Sequence, residues 1–329
     1  MPGGRKLALL GLILGLAALC YIVWHVGAGA VLVAMSAIGW GFLLLLAYRL
    51  ALVVLMGASW WVLGSDRPGA TLFRFCWARL IRDSASECLP LSQIGGFVLG
   101  ARALTVTGVS GMFAAASTVV DVTLELIAQL VYLLLGVFLL WRTHPDFSLL
   151  RPLLVGLVAL TAGAIGFLAL QSRGAGLIER ASAKLLSNWA GAKAGTRAML
   201  AELSAIHHDR ARAVAGTVLH LLCWLANGAE AWLVLLLIGH PVSTVTALVI
   251  DSLLYGLRSF AFIVPNALGV QEAGYVLLGG LFGLAPHTCL ALSLLRRARD
   301  LALGLPALAT WQAIEGRRAW RGLNEFPAP

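Results

Sequence analysis

Three groups of ionisable side chains stand in apolar parts of this 329-residue chain. In RLIRDSASEC, Arg79, Arg82, Asp83, Ser86 and Glu87 recur at helical spacing and share one face. In a long apolar run, Thr118, Asp121, Glu125 and Gln129 form a second stripe. Nearer the C-terminus Arg296, Arg299 and Asp300 share a face, with Arg297 about 100° away. Charge at a bilayer centre costs at least ~2.5–3.5 kcal/mol per residue, so such groups face a cavity or one another. Two chemistries follow. Arginine forks match phosphate and carboxylate oxygens, and the last group carries more arginine than Asp121 and Glu125 balance, which predicts a net positive interior suited to a phosphate-bearing ligand. Alternatively, Asp121 and Glu125 neutralise two of those arginines and lock the halves of the protein together. The first stripe equally suits an amphipathic helix at the membrane interface.

Two proline–glycine strings adjoin these groups. Pro90, Gln93, Gly95 and Gly96 follow the first stripe, and Arg258 leads into Pro265, Gly269, Gln271 and Glu272. Proline removes a backbone donor and glycine loosens the helix, so both stretches break there. A half-helix beginning near Leu268 presents free N–H groups to the site, with Glu272 in its first turn, where an acid is also favoured structurally. Arg49, Glu230 and Asp251 are lone charges in apolar surroundings, with local partners expected.

The elements that must position these residues are membrane helices. The chain is 60% hydrophobic and 12% charged, with a mean hydropathy of +0.89; a soluble domain carries about 25% charged residues. Full spans are predicted at Leu7–Val26, Ile38–Leu63, Met112–Trp141, Pro152–Gln171, Val214–Gly239 and His287–Trp311, with broken stretches at Thr71–Leu104 and Ser243–Leu284. The fold class is all-α polytopic: about six spans and two broken segments in one membrane domain, residues 1–329. The run from Leu7 is long for a signal peptide and lacks an A-x-A site, so it is read as a retained span. Trp60, Trp61 and Trp141 fall at span ends, as an aromatic belt requires.

Arginine and lysine outnumber acids in the segment 172–212, which places this amphipathic stretch in the cytoplasm. Arg5, Lys6, Arg317, Arg318 and Arg321 place both termini there too. If all six spans cross, each broken stretch begins and ends on one side, so both are re-entrant, from opposite faces. Pro90 and Pro265 are 175 residues apart, and that offset lays residues 38–141 over 214–311 as a repeat of pattern rather than of letters. One span separates the units, so the second is inverted relative to the first, an architecture of transporters.

Several function classes drop out. The net charge of +9 is dispersed among apolar runs, with no basic domain for nucleic acid. Five scattered cysteines form neither a disulfide framework nor a metal site. No Walker, H-E-x-x-H or G-x-S-x-G motif is present, and no metal or cofactor is expected.

The strings S-A-S-E-C-L-P-L-S-Q-I-G-G (Ser84–Gly96) and P-N-A-L-G-V-Q-E-A-G-Y (Pro265–Tyr275), with Arg258 ahead of the latter, resemble the integral-membrane region of lysylphosphatidylglycerol synthases and their stand-alone bacterial relatives. The form E-x-L-P-L-S-Q-I-G-G is most similar to the subgroup associated with hopanoid biosynthesis, often called HpnL-like. The resemblance runs from about Leu7 to Trp311. It implies the lipid-flipping half of those proteins without the synthase half, since only 18 residues follow Trp311. It points to Glu87, Pro90, Gln93, Gly95, Gly96, Pro265, Gly269, Gln271 and Glu272 as site residues.

The expectation is a lipid translocator or lipid-binding transporter of the bacterial inner membrane, acting on a hopanoid or phospholipid. Arg79, Arg82, Arg258, Arg296 and Arg299 would engage the headgroup, while Asp121, Glu125, Glu272 and Asp300 balance charge. Two alternatives stay open. One is a non-catalytic scaffold for lipid-biosynthesis enzymes, docking through 172–212; the other is a membrane enzyme that modifies a headgroup. The membrane lipid is the expected partner, and a homo-oligomer is compatible with the sequence.

Overall fold

Long runs of Leu, Ala and Val favour helix, and in a membrane only helix satisfies every backbone group within its own segment. The computed structural model describes residues 28–89, 92–143, 201–206, 208–261 and 264–324, with isolated positions elsewhere. Its helices are α1 (Ala28–Ser36), α2 (Gly41–Trp61), α3 (Leu72–Cys88), α4 (Ser92–Val106), α5 (Gly111–Thr143), α6 (Arg210–Leu237), α7 (Thr244–Phe260), α8 (Val270–Leu281) and α9 (Pro286–Asn324), with 3-10 turns at Val62–Gly64 and Pro265–Ala267. No strand occurs among the described residues, and the protein is an all-α membrane protein. Three described helical segments are long and apolar enough to cross a membrane: Gly41–Gly64, Gly111–Thr143 and Arg210–Leu237. The expected spans Leu7–Val26 and Pro152–Gln171, Pro90, and most of the segment 172–212 lie outside the described residues.

The expected span His287–Trp311 takes a different form. It belongs to a single helix of 39 residues that runs on through Pro306. The charged turn from Arg296 to Asp300 keeps α9 out of the apolar class.

Both predicted breaks are present. The first separates α3 from α4, which pack tightly on each other; the second separates α7 from α8, which do the same. Gly96 shows why the first hairpin needs small residues. A Cβ there would stand 2.7 Å from the Arg82 carbonyl and 1.9 Å from Ser86 Oγ. In the second break Asn266 and Ala267 adopt left-handed backbone (φ 50° and 45°), and Gly269 follows at φ 77°. Asparagine tolerates this region and alanine does not, so Ala267 carries strain of about 1–2 kcal/mol. The half-helix starts at Val270 rather than Leu268, because Gly269 caps it.

The 175-residue offset recurs in the element boundaries. Val106 and Leu281 end α4 and α8, while Gly111 and Pro286 open α5 and α9. Packing recurs as well. α2 packs on α3 and α3 on α4, as α6 packs on α7 and α7 on α8; α4 meets α5 as α8 meets α9. Between the units α3 packs on α9 and α7 on α5, while α2 and α6 pack on each other.

Two large apolar clusters form most of the core, with a small third one at Leu52, Met56 and Cys223. One gathers Trp60, Phe75, Ile81, Leu104, Phe113, Val120 and Trp311. The other gathers Leu133, Leu140, Val234, Leu235, Ile250, Leu254, Tyr275 and Leu292. Along α5 and α9 the chain passes from one cluster to the other through the charged residues, so a polar layer is held between two apolar ones. Trp60 belongs to this core rather than to an aromatic belt: it is fully buried and donates to Ser117 Oγ at 3.1 Å.

Replacing Gly96 by alanine should cost about 1–3 kcal/mol through overpacking against α3. A lower melting temperature in detergent would show it. Gly280→Ala, where nothing lies within 4 Å of the new methyl, should leave the melting temperature unchanged.

Candidate functional site

The first stripe folds as predicted on α3 and faces α5. Arg79 Nη2 donates to Glu125 Oε1 at 2.7 Å, and its Nη1 donates to Glu125 Oε2 at 3.1 Å. Arg82 Nη1 donates to Asp121 Oδ2 at 2.6 Å and its Nη2 to Glu125 Oε2. His220 of α6 completes the group, with Nε2 2.9 Å from Asp121 Oδ1 and 3.2 Å from Ser59 Oγ. Asp121 is fully buried, as are the Arg79 and Arg82 side chains to within a few per cent. Charge-assisted bonds of this kind are short and strong, which lets such groups sit away from water.

Asp121 and Glu125 therefore pair with α3, not with the arginines of α9 as the lock reading required. The α9 arginines take other acids. Arg296 binds Asp251, donates to Tyr275 OH at 2.6 Å and lies 3.3 Å from Glu230 Oε2. Asp251 also accepts from Tyr132 OH at 3.0 Å. Arg299 bonds to Glu230 and, at 2.8 Å, to Asp300. Glu230 and Asp251, expected to have local partners, are thus the counter-ions of Arg296 and Arg299 on a different helix.

Glu272 is an anchor of the second break. It accepts from Gly269 N at 2.8 Å, from Ser293 Oγ at 2.9 Å and from Arg297 Nε at 2.6 Å. Gln271 donates to the same Ser293 at 2.9 Å. Arg297, off the shared face of α9, is the residue that reaches this acid.

The two breaks are tied together. Arg258 Nη2 donates to Glu87 Oε1 at 3.1 Å and to Asn266 Oδ1 at 3.3 Å; Asn266 Nδ2 donates to the Glu87 backbone carbonyl at 2.7 Å. That carbonyl lies in the last turn of α3 and has no continuing helix to satisfy it. A side chain from the second break therefore caps the first.

A cavity of about 370 Å³ opens here. Arg49, Arg79, Arg82 and Arg258 contribute positive charge to its wall; Asp83, Glu87 and Glu125 contribute negative charge. His220, Trp224, Asn227 and Tyr255 add a polar and aromatic side, with the Trp224 and Tyr255 rings edge to face at 4.6 Å between centroids.

Of the predicted residues, Arg79, Arg82, Asp83, Glu87, Glu125 and Arg258 reach this cavity. Asp121 stands directly behind it. Gln271, Glu272, Arg296 and Arg299 are buried in the adjoining network, and Asp300 lines a small neighbouring pocket. Gly96 serves the hairpin packing and Gly269 the capping turn. Gly95 lies beside Gly96 on α4, Pro265 opens the 3-10 turn, and Gln93 lies in the first turn of α4.

The expectation of a net positive interior is overturned. Arg49, Arg79, Arg82, Arg258, Arg296, Arg297 and Arg299 face eight carboxylates: Asp83, Glu87, Asp121, Glu125, Glu230, Asp251, Glu272 and Asp300. The last group appeared over-supplied with arginine only because its acids sit on α6, α7 and α8. Sequence reasoning also passed over His220, Trp224, Asn227 and Tyr255. The signal was available: His220, Cys223, Trp224 and Asn227 follow helical spacing through an otherwise apolar span.

The family model described as the lysylphosphatidylglycerol synthase TM region matches residues 8–307. The chain belongs to this family. No curated protein and no solved structure matches it. Within the matched residues, Glu87 and Asn266, one beside each helix break, touch and line the cavity. The match supports a membrane protein of lipid metabolism or transport.

Outside the spans, the hydrogen bond from Arg212 holds the Asp66 carboxyl below its usual range and links the turn after α2 to the start of α6.

Removing one partner of a buried pair strands the other charge, at a cost of about 3–5 kcal/mol. Asp251→Leu should therefore unfold far more easily in detergent than the wild type. Adding Arg296→Leu to it should recover part of the loss, because Glu230 keeps Arg299 as its partner. A double change no more stable than the single one would show that the pair does not act as a unit.

Proposed function

We propose that this family member is a lipid translocator of the bacterial inner membrane, moving a phospholipid or hopanoid with its headgroup in the mixed-charge cavity. The observation that carries the reading is the cavity itself: a chamber walled by four arginines and three carboxylates, held between apolar cores. Lipid tails need no such chamber and a headgroup does. Ionisable groups at membrane depth characteristically mark a substrate path.

The rest of the architecture fits this reading. In it the α3–α4 and α7–α8 hairpins are re-entrant from opposite faces, and both termini are cytoplasmic. The units 38–141 and 214–311 form an inverted repeat whose breaks meet at the site, as in transporters built from discontinuous helices. The link from Arg258 through Glu87 to Asn266 joins the two units at the cavity, so its opening and closing would expose the headgroup to one leaflet and then the other.

The test is translocation of a fluorescent phospholipid in liposomes containing the purified protein, read by quenching of the outer leaflet. Wild-type protein should exchange the leaflets well above the protein-free rate. Arg258→Gln and Glu87→Gln should fall to that background while keeping helical content and insertion. Full activity in both variants would remove the cavity from the transport path.

A further inference from the structure

Two charged side chains in the cavity wall have ion-pair neighbours but no hydrogen bond among the described residues. Arg49 on α2 makes no hydrogen bond with the described residues; its nearest acids are Asp83 Oδ2 at 3.6 Å and Asp300 Oδ1 at 3.7 Å. Asp83 on α3 likewise accepts no hydrogen bond from the described residues. Its Oδ2 is buried without a partner, and Arg79 Nε, 2.9 Å from Oδ1, is not aligned to donate to it. Both side chains are largely enclosed, 11% and 16% exposed, and both face the same cavity.

The neighbouring arginines behave differently. Arg79 and Arg82 are held by hydrogen bonds to Glu125 and Asp121, with Arg79 Nε left over, and Arg258 is committed to the bridge between the breaks. A guanidinium carries five N–H donors and a carboxylate about four acceptor sites. Enclosed groups of this kind are nearly always hydrogen-bonded. A cation and an anion held side by side without a hydrogen bond are therefore shaped to receive their partners from a ligand.

Charge selects the ligand class. Arg79 and Arg82 are paired with Glu125 and Asp121, Arg258 with Glu87, and Asp300, the other acid beside Arg49, is held by Arg299. A headgroup bearing one charge alone would serve only one member of the Arg49–Asp83 pair and leave the other without a hydrogen bond away from water, which is expensive. A headgroup bearing one phosphodiester and one ammonium on a short spacer serves both. Its phosphate oxygens match the planar Arg49 fork, and its ammonium matches the free acceptors of Asp83.

We infer that Arg49 and Asp83 form the recognition subsite for a net-neutral, zwitterionic phospholipid headgroup, phosphate on Arg49 and ammonium on Asp83. The inference rests on the lipid-handling reading and adds to it the class of headgroup and the two residues that select it.

The test is native mass spectrometry of the delipidated full-length protein in detergent. It is offered phosphatidylethanolamine or phosphatidylglycerol, with water-soluble phosphoethanolamine as a competitor. Wild-type protein should retain phosphatidylethanolamine about tenfold better than phosphatidylglycerol, roughly the worth of one charge-assisted hydrogen bond. Asp83→Asn should abolish that preference while keeping phosphatidylglycerol retention. Arg49→Gln should weaken retention of both lipids, and Arg49→Lys should keep part of it. Neither side chain forms a hydrogen bond with the described residues, and without Asp83 the neighbouring Arg49 keeps Asp300 and Arg79 keeps Asp121 and Glu125, so melting temperatures should stay close to wild type; the lysine variant covers the case in which glutamine disturbs folding.

Equal retention of both lipids by wild-type protein, or an intact preference in Asp83→Asn, would overturn the subsite and leave the lipid reading standing. Displacement of the lipid by equimolar phosphoethanolamine would assign the pair to a soluble ligand and overturn it as a lipid subsite. No retention of either lipid above the detergent background would overturn the lipid-handling reading itself.

Discussion

Charge held away from water must be neutralised where it stands, and the structure is organised around that requirement. Seven arginines and eight carboxylates lie in a layer between two apolar cores, and each arginine has at least one carboxylate within 4 Å. Such a layer is a poor source of raw stability, because desolvation cancels much of the Coulombic gain. It is an effective source of specificity. Shifting any helix by one turn would strand several charges at once, which fixes the register of α3, α5, α6, α7 and α9 against one another.

The two units meet this requirement with opposite polarity. In the first, Arg79 and Arg82 on α3 face Asp121 and Glu125 on α5. In the second, the acid Asp251 is on the matching helix α7, while Arg296 is on α9 at the position that overlies Asp121. Each unit is supplied with both signs, but the helix that carries the base has exchanged with the helix that carries the acid. At the 175-residue offset the helix boundaries agree while the signs of these charges are exchanged.

The helix breaks supply the remaining structure of the site. Each interruption leaves backbone groups that no continuing helix satisfies. Asn266 from one break caps the Glu87 carbonyl of the other, and Glu272 accepts the free Gly269 N–H. The strained backbone at Ala267 persists because these contacts hold it on both sides. A polar chamber survives among apolar helices because irregular backbone and buried charge collect at one place, where they satisfy one another.

The sequence by itself determined the class of protein, the helix breaks and the charged stripes. These are local properties: composition, 3.6-residue periodicity and the effects of proline and glycine on the backbone. It also singled out six residues of the cavity wall. Only the tertiary structure decided which charges meet. One of the two readings set the stripe on α5 against α9, and it instead faces α3, because the arginines that meet Asp121 and Glu125 come from a helix 39 to 46 residues earlier in the chain. Arg49, Asp83 and His220 acquire their significance in the same way. Whether a buried charge is neutralised, bridging or left for a ligand depends on what stands within 4 Å of it, and for residues on different helices that is set by packing rather than by spacing along the chain.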